Sequence, residues 1–278
     1  MPTDCVAPAE QPEVLAPIHS LPSFGLDDYE RLLMSLEDNG YQIGPVGGMP
    51  EPATGRRAYL RHDIDLHVPG VERMAEVEAV LGVRSTYLVL LTQHYNPLYP
   101  ENRDLLRYIR DLGHEIGLHY DLTTYPLDDA AARSHLEWEI SLLSSIVAAP
   151  VRCISMHQPY EGRDDVFKSS SGYVHPHDPA LGDDLLYVSD SCRAWRDESL
   201  LRCLGDAAPR RLLLLTHPEL WLDGAVTDRV EYLETVLLDN AIRQHRAFVD
   251  STVRAVWQRH PGPRLHDARE VSRLRAVP

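Results

Sequence analysis

Short apolar runs alternate with amphipathic stretches along this chain, and that alternation leaves few folds open to it. Residues 211–216 carry four consecutive leucines, and residues 85–91 are almost all β-branched, aromatic or aliphatic. Runs this short and this apolar read as strands buried on both faces. The same reading places strands at 59–60, 114–119, 151–156 and 185–188. Helical spacing of apolar residues predicts helices over 27–36, 71–81, 102–112, 127–147 and 227–258. A Gly/Pro-rich connection runs through Gly44, Gly47, Gly48 and Pro50, and 158–184 reads as an excursion rich in Gly, Pro, Ser and Asp. Strands and helices in this order imply βαβ units and a mainly parallel sheet or barrel.

Polar chemistry falls at one place in this pattern. Asp63 and Asp65, His119, His157, Asp190 and His217 each stand at the C-terminal end of an expected strand. That is the edge on which parallel α/β structures build their sites. The densest piece is Arg61-His62-Asp63-Ile64-Asp65-Leu66-His67, two carboxylates among imidazoles directly after an apolar run. Charged groups there are costly to desolvate unless they are paired, metal-bound or working.

Composition narrows the function classes. Acidic residues outnumber basic ones 42 to 27, a formal net charge of -15, which argues against nucleic acid as a partner. Lys168 is the sole lysine, so Schiff-base and phosphate-loop lysine chemistry is nearly excluded. Cys5, Cys153, Cys192 and Cys203 are widely spaced and read as reduced thiols. No apolar run reaches transmembrane length and no export-signal pattern opens the chain. The expectation is a cytoplasmic protein with no membrane partner. Its domain plan is an N-terminal arm over 1–22, one domain over 23–262 and a polar tail over 263–278.

A carboxylate and two histidines can hold a divalent ion with positions left for substrate and water. Asp63 and Asp65 lie two residues apart, so in extended chain they share a face about 6–7 Å apart. One can hold the metal while the other acts as base. His119 and His157 are candidate ligands. His217, at the mouth of an apolar strand, is expected to have a lowered pKa unless an acid opposes it, and can act as acid toward a leaving amine. Asp190 and Arg193 can pair with each other. Tyr95, Tyr160, Trp195 and Trp221 are loop aromatics able to stack on a sugar ring, and Arg193 joins them as a candidate substrate contact.

The order of these pieces resembles the polysaccharide deacetylase (NodB-homology, carbohydrate esterase 4-like) superfamily, in the branch that begins Arg-His-Asp-x-Asp. The matching pieces are 61–65, 113–121, 153–159, 187–195 and 213–221. The resemblance implies a distorted (β/α) barrel of about seven strands, one divalent metal, commonly Zn2+, and hydrolysis of an N-acyl amide on an amino sugar. It implies Asp63 as base, Asp65 and His119 as ligands, and His217 as acid. It also implies an orienting Asp190 and an oxyanion contact from the turn through Gln158, Pro159 and Tyr160. The family's second histidine falls here at Thr123. His157 is therefore expected as third ligand, with Asp121 or water behind it, or else as the group that steadies Asp63. His62 and His67 are further candidates. The expected substrate is a small soluble N-acetyl amino sugar or conjugate from a biosynthetic pathway. A non-sugar amide, ureide or formamide is the second reading, and a degenerate barrel that only binds a ligand is the third.

Overall fold

Every residue from Ala58 to Ile64 is buried, although Arg61, His62 and Asp63 are among them. Ionisable groups cannot be taken out of water singly, so the rest of the fold must supply their partners on both faces of one strand. In the computed structural model the described residues are 20–48, 55–66, 69–92, 95–158, 164–169, 172–182, 184–196, 198–205, 208–222, 224–226 and 228–250. Most of the expected N-terminal arm and all of the C-terminal tail lie outside them. The elements run α1 (Leu26–Asp38), β1 (Tyr41–Pro45), β2 (Arg56–Ile64), α2 (Val71–Val80), β3 (Thr86–Leu90), α3 (Pro100–Asp111) and β4 (Glu115–Tyr120). There follow α4 (Asp129–Val147), β5 (Ile154–Met156), β6 (Leu185–Ser189), α5 (Ser199–Arg202), β7 (Arg211–Thr216) and α6 (Arg229–Phe248). The chain divides into two compact units, Met1–Leu233 and Glu234–Pro278. The second is described only through the helical residues 234–250. No described helix is long and apolar enough to cross a membrane.

All strands of the first unit pair in parallel, in the order β5-β4-β3-β2-β7-β6. One flank of β2 is shared: its first half, Arg56–Leu60, pairs with β1, and its second half, Arg61–Ile64, pairs with β3. β1 occupies what the sequence reads as an irregular connection. Gly44 and Pro45 break its pattern, and pairing with β2 supplies what local propensity lacks. β5 is shorter than the expected 151–156; just before it, Cys153 bridges to Val174 on one side while its carbonyl accepts from Leu118 N–H of β4 at 2.9 Å.

Alternation along β2 sends Tyr59, Arg61 and Asp63 to one face and His62 and Ile64 to the other. On the first face, Tyr59 packs with Val46, Leu88, Cys153 and Leu213. These residues come from strands or strand approaches on both sides of β2, so the sheet curls around them as a half-barrel. Gly117 belongs to this interior: a Cβ there would sit 2.7 Å from the Cys153 carbonyl oxygen, so only glycine fits. The second face packs under the helices in a larger apolar cluster with Val71, Tyr87, Leu106 and Leu136. The architecture is the expected α/β one, a distorted barrel whose β5 and β6 edges have no pairing with each other among the described residues.

His62 turns away from the strand tips toward Glu78 of α2. Glu78 is fully buried and accepts from Ser85 Oγ (2.6 Å), Tyr87 OH (3.0 Å) and Tyr29 OH, with His62 Nε2 at 2.7 Å. The other nitrogen of His62 meets Thr216 Oγ1 at 2.7 Å. His114 closes the group: its Nε2–H donates to the Ala75 carbonyl, and its Nδ1 faces Glu78 at 3.4 Å. His62 and His114 are thus core residues tying α2 to the sheet.

Burial by itself would raise the pKa of Glu78, but His62 first, then His114 and Ser85, hold it down to about 2. A depressed carboxylate stabilises fully above its unfolded pKa, about 4.3, and that contribution is lost as pH falls through about 2. Glu78→Gln should therefore cost about 3–5 kcal/mol in urea unfolding at pH 7. It should also flatten the acid limb of the stability curve between those two pH values. Unchanged stability would mean that the network is not a structural tie.

Candidate active site

Each strand that leads into the rim ends in a group with lone pairs or charge. Asp63 is the penultimate residue of β2 and Asp65 follows its last; His119 lies in β4. His157, Asp190 and His217 directly follow β5, β6 and β7. Parallel strands deliver these side chains to one edge of the sheet, and the structure brings all six together.

Asp63 is 1 % exposed and is held by Arg61, two residues earlier on the same face. Arg61 Nε and Nη2 each donate to one carboxylate oxygen at 2.7 Å. The remaining nitrogen, Nη1, donates to His177 Nε2 at 3.0 Å. Burial and the guanidinium depress the His177 pKa to about 3, so the ring is neutral and can accept. Burial would raise the pKa of Asp63, but Arg61 and then His119 keep it below the usual carboxylate range. The group that steadies Asp63 is thus Arg61, not His157.

His157 points elsewhere. Its Nδ1 lies 3.1 Å from His119 Nε2 and 3.4 Å from Asp65 Oδ1, while its backbone N–H donates to the Tyr120 carbonyl at 2.8 Å. His119 Nδ1 sits 2.9 Å from the Ser155 carbonyl oxygen, which only accepts, so that nitrogen carries the proton. A neutral His119 therefore presents the lone pair of Nε2 to Asp63 Oδ2 at 3.2 Å and Asp65 Oδ1 at 3.5 Å. Lone pairs facing one another repel unless a cation lies among them. A proton on His119 is disfavoured, since burial lowers its pKa despite the two carboxylates. Asp65 Oδ1 is buried and makes no hydrogen bond among the described residues. One donor atom each from Asp65, His119 and His157 fall within 4.8 Å of one another. An Asp-His-His set of this kind fits a divalent ion of the zinc type, with coordination positions to spare.

His217 stands opposite with a partner of its own. Nδ1–H donates to Asp190 Oδ1 at 2.6 Å, and the His217 backbone N–H donates to Oδ2 at 3.0 Å. Trp221 Nε1–H donates to the same Oδ2 at 2.7 Å. His217 Nε2 is left facing Asp65 Oδ2 at 3.6 Å. Burial would lower the pKa of His217, but Asp190 outweighs it and holds the imidazole up at about 10. The expectation of a lowered value is reversed, because the opposing acid is present.

Other expectations are corrected. Arg193 does not pair with Asp190: it is buried, donates to the carbonyls of Leu220 (3.1 Å) and Val226, and lies 3.6 Å over the Tyr232 ring. Trp221 is fully buried against Phe24 and Tyr29. The Tyr95 hydroxyl donates to the Ile64 carbonyl and accepts from Leu90 N–H. Neither ring is turned to a ligand, since both are fixed inside by their polar atoms. Trp195 is half-buried, and its indole N–H donates to the Pro22 carbonyl at 3.0 Å. Asp121 accepts from Thr123 N and Oγ1, capping the turn Leu122–Thr124. Tyr160 and His67 lie outside the described residues. Missed by the sequence reading are His177 and Glu219; Arg61 and Glu219 sit inside matched motif pieces, and that was the available signal.

No protein-family model matches this chain, and no curated protein matches it. Among solved structures it is similar to the Xyl-CE4 domain of a multidomain xylanase from the hindgut metagenome of Trinervitermes trinervoides. There the identity is 13 % over 69 % of this chain and 85 % of that one, with a TM-score of 0.41. It is also similar to the chitin deacetylase of Colletotrichum lindemuthianum, at 18 % identity, 66 % and 81 % coverage and a TM-score of 0.41. A CE4 family pseudoenzyme from Bacillus anthracis is matched at 18 % identity and a TM-score of 0.38, over 69 % of this chain and 63 % of its own length. At these TM-scores a functional reading must come from the side chains themselves.

The Arg61–Asp63 pair is enclosed, each side chain 2 % exposed. Arg61→Met leaves Asp63 buried without its counter-charge and should cost about 3–5 kcal/mol of folding stability. Adding Asp63→Asn should restore most of that loss, since the uncompensated charge is gone. A single-variant cost within about 0.5 kcal/mol, the range of ordinary surface changes, would show that the pair is not a fixed unit.

Proposed function

We propose that the protein is a metal-dependent hydrolase that removes an acyl group, acetyl first, from the amide nitrogen of an amino sugar or its conjugate. The observation that carries this reading is that ligand atoms of Asp65, His119 and His157 fall within 4.8 Å of one another, with the His119 Nε2 lone pair and the unbonded Asp65 Oδ1 among them. On either side of them stand an arginine-held carboxylate and an aspartate-held imidazole. The motif order across 61–221 supports it from the sequence side. When bound, the ion, with zinc as first choice, would polarise the scissile carbonyl and acidify the attacking water.

The chain's own residues account for the protons. Asp63 is ionised, and its Oδ2 faces His119 and the rim, so it takes the proton of the attacking water as base. His217 carries a proton on Nε2 because Asp190 holds Nδ1–H and stabilises the imidazolium. It gives that proton to the departing amine as the C–N bond breaks. One proton taken and one given balance the hydrolysis. Asp190 is itself fixed by Trp221 and by the His217 backbone, so the acid is orientated before substrate arrives.

A small soluble intermediate of cytoplasmic biosynthesis is the finer form of this reading, and the acidic composition supports it. A non-sugar amide, ureide or formamide is the second reading. Burial of Tyr95 and Trp221 favours it, because two of the rings expected to stack on a sugar are committed elsewhere. Acetate or other acyl release should be measured over N-acetyl amino sugars, their nucleotide conjugates and simple N-acyl amides, with and without chelator. Chelation should abolish turnover, and His217→Ala should lower kcat by about 10²–10⁴-fold on poor leaving groups. Turnover indifferent to chelation would refute the metal-dependent reading. Normal kcat in His217→Ala would refute the acid.

A further inference from the structure

Glu219 has no exposure to solvent, yet it lies two residues from His217 and beside the tip of β2. Its Oε1 accepts from two successive backbone N–H groups, Asp65 at 2.8 Å and Leu66 at 3.0 Å. These residues lie just past the last ladder pairs of β2, Ile64 with Val89 and His62 with Thr216. On the β7 side, Pro218 has no N–H to donate and begins the turn Pro218–Leu220. Where the ladder stops, one carboxylate oxygen stands in for the missing strand neighbour.

Glu219 is anchored at its other end. Its carbonyl accepts from the Tyr232 hydroxyl at 2.6 Å, and the turn that carries it is closed by Leu220 N–H donating to the His217 carbonyl at 2.8 Å. A rigid path therefore runs from the tip of β7, through the Glu219 side chain, to the backbone of Asp65. The direction of the Asp65 side chain, with Oδ1 toward His119 and His157 and Oδ2 toward His217, follows from how that backbone is held.

We infer that Glu219 is a positioning residue for the ion site, fixing the Asp65 ligand through its backbone N–H and that of Leu66. This rests on the metal-dependent reading above. The second oxygen, Oε2, is buried and has no hydrogen-bond partner among the described residues, so the positioning uses one acceptor only. An amide oxygen can do the same work, whereas an isosteric apolar side chain cannot. Groups that orient a ligand from outside the coordination shell typically change metal affinity by about 10–100-fold when removed.

The test is Zn2+ affinity by competition with a chromophoric chelator, on the full chain, for wild type, Glu219→Gln and Glu219→Leu. Thermal denaturation of the ion-free proteins is recorded alongside. Glu219→Leu should bind about 10–100-fold more weakly, while Glu219→Gln should restore most of that affinity even if both variants melt earlier than wild type. A purely structural role would move melting and leave affinity unchanged in both, and that result overturns the inference. Equal weakening in Gln and Leu also overturns it, because the acceptor would then not be what matters. If Glu219→Leu does not fold, Glu219→Asp serves in its place: one methylene shorter, it cannot reach both N–H groups, and undiminished affinity again overturns the inference. A wild type that binds no ion strikes the functional reading itself, and so the two failures are told apart.

Discussion

A neutral histidine that donates from one nitrogen can only accept at the other, and at His119 this rule organises the rim. The Ser155 carbonyl claims Nδ1–H, so a neutral ring directs a lone pair at Asp63 and Asp65. The lone pair of His119 and the two carboxylates repel one another unless positive charge lies among them. The raised pKa of His157 has the same origin: burial disfavours its charged form, but the pull of Asp65 prevails. The protein has assembled acceptors that call for a cation and has placed them where the ends of parallel strands converge.

Two ion pairs of opposite sense flank that centre. In one, Arg61 surrounds Asp63 and keeps a carboxylate ionised in a buried place; in the other, Asp190 surrounds His217 and keeps an imidazole protonated. The proposed base and acid are therefore both charged in the resting protein, on either side of the Asp65, His119 and His157 cluster. This division follows from strand alternation. Arg61 and Asp63 share the inner face of β2, while His62 between them goes outward to Glu78. A single strand thus serves the site with one face and ties down α2 with the other.

The strands most legible in the sequence were those with nothing but apolar residues, such as β3 and β7, because burial on both faces leaves an unbroken run. The placement of Asp63, Asp65, His119, His157, Asp190 and His217 was legible for a related reason: a polar residue that ends such a run has reached the sheet's rim. β1 was not, since Gly44 and Pro45 carry no strand signal and its pairing is decided by β2. Side-chain partnerships were less legible still. The Asp190–Arg193 pair looked plausible from three-residue spacing. But Cys192 and Arg193 both have positive φ, and Arg193 ends over Tyr232 instead. His177 belongs to a connection whose course depends on tertiary packing, and no period or motif announces where it turns; Glu219 lies inside a matched motif piece, but its backbone partners at Asp65 and Leu66 carry no local signal. Tyr95 and Trp221 were read as rim aromatics because loop residues usually are, whereas here each has its polar atom fixed inside.

The claim on which the rest depends is that a cation belongs between Asp65, His119 and His157 and that Asp63 stays outside its coordination shell. Crystals grown with Zn2+ or Co2+, with anomalous diffraction recorded across the metal edge, address it directly. The account predicts one strong anomalous peak at about 2.0–2.2 Å from an Asp65 oxygen, His119 Nε2 and His157 Nδ1, with Asp63 still gripped by Arg61. A peak coordinated by Asp63, or one seated away from these three residues, would contradict it.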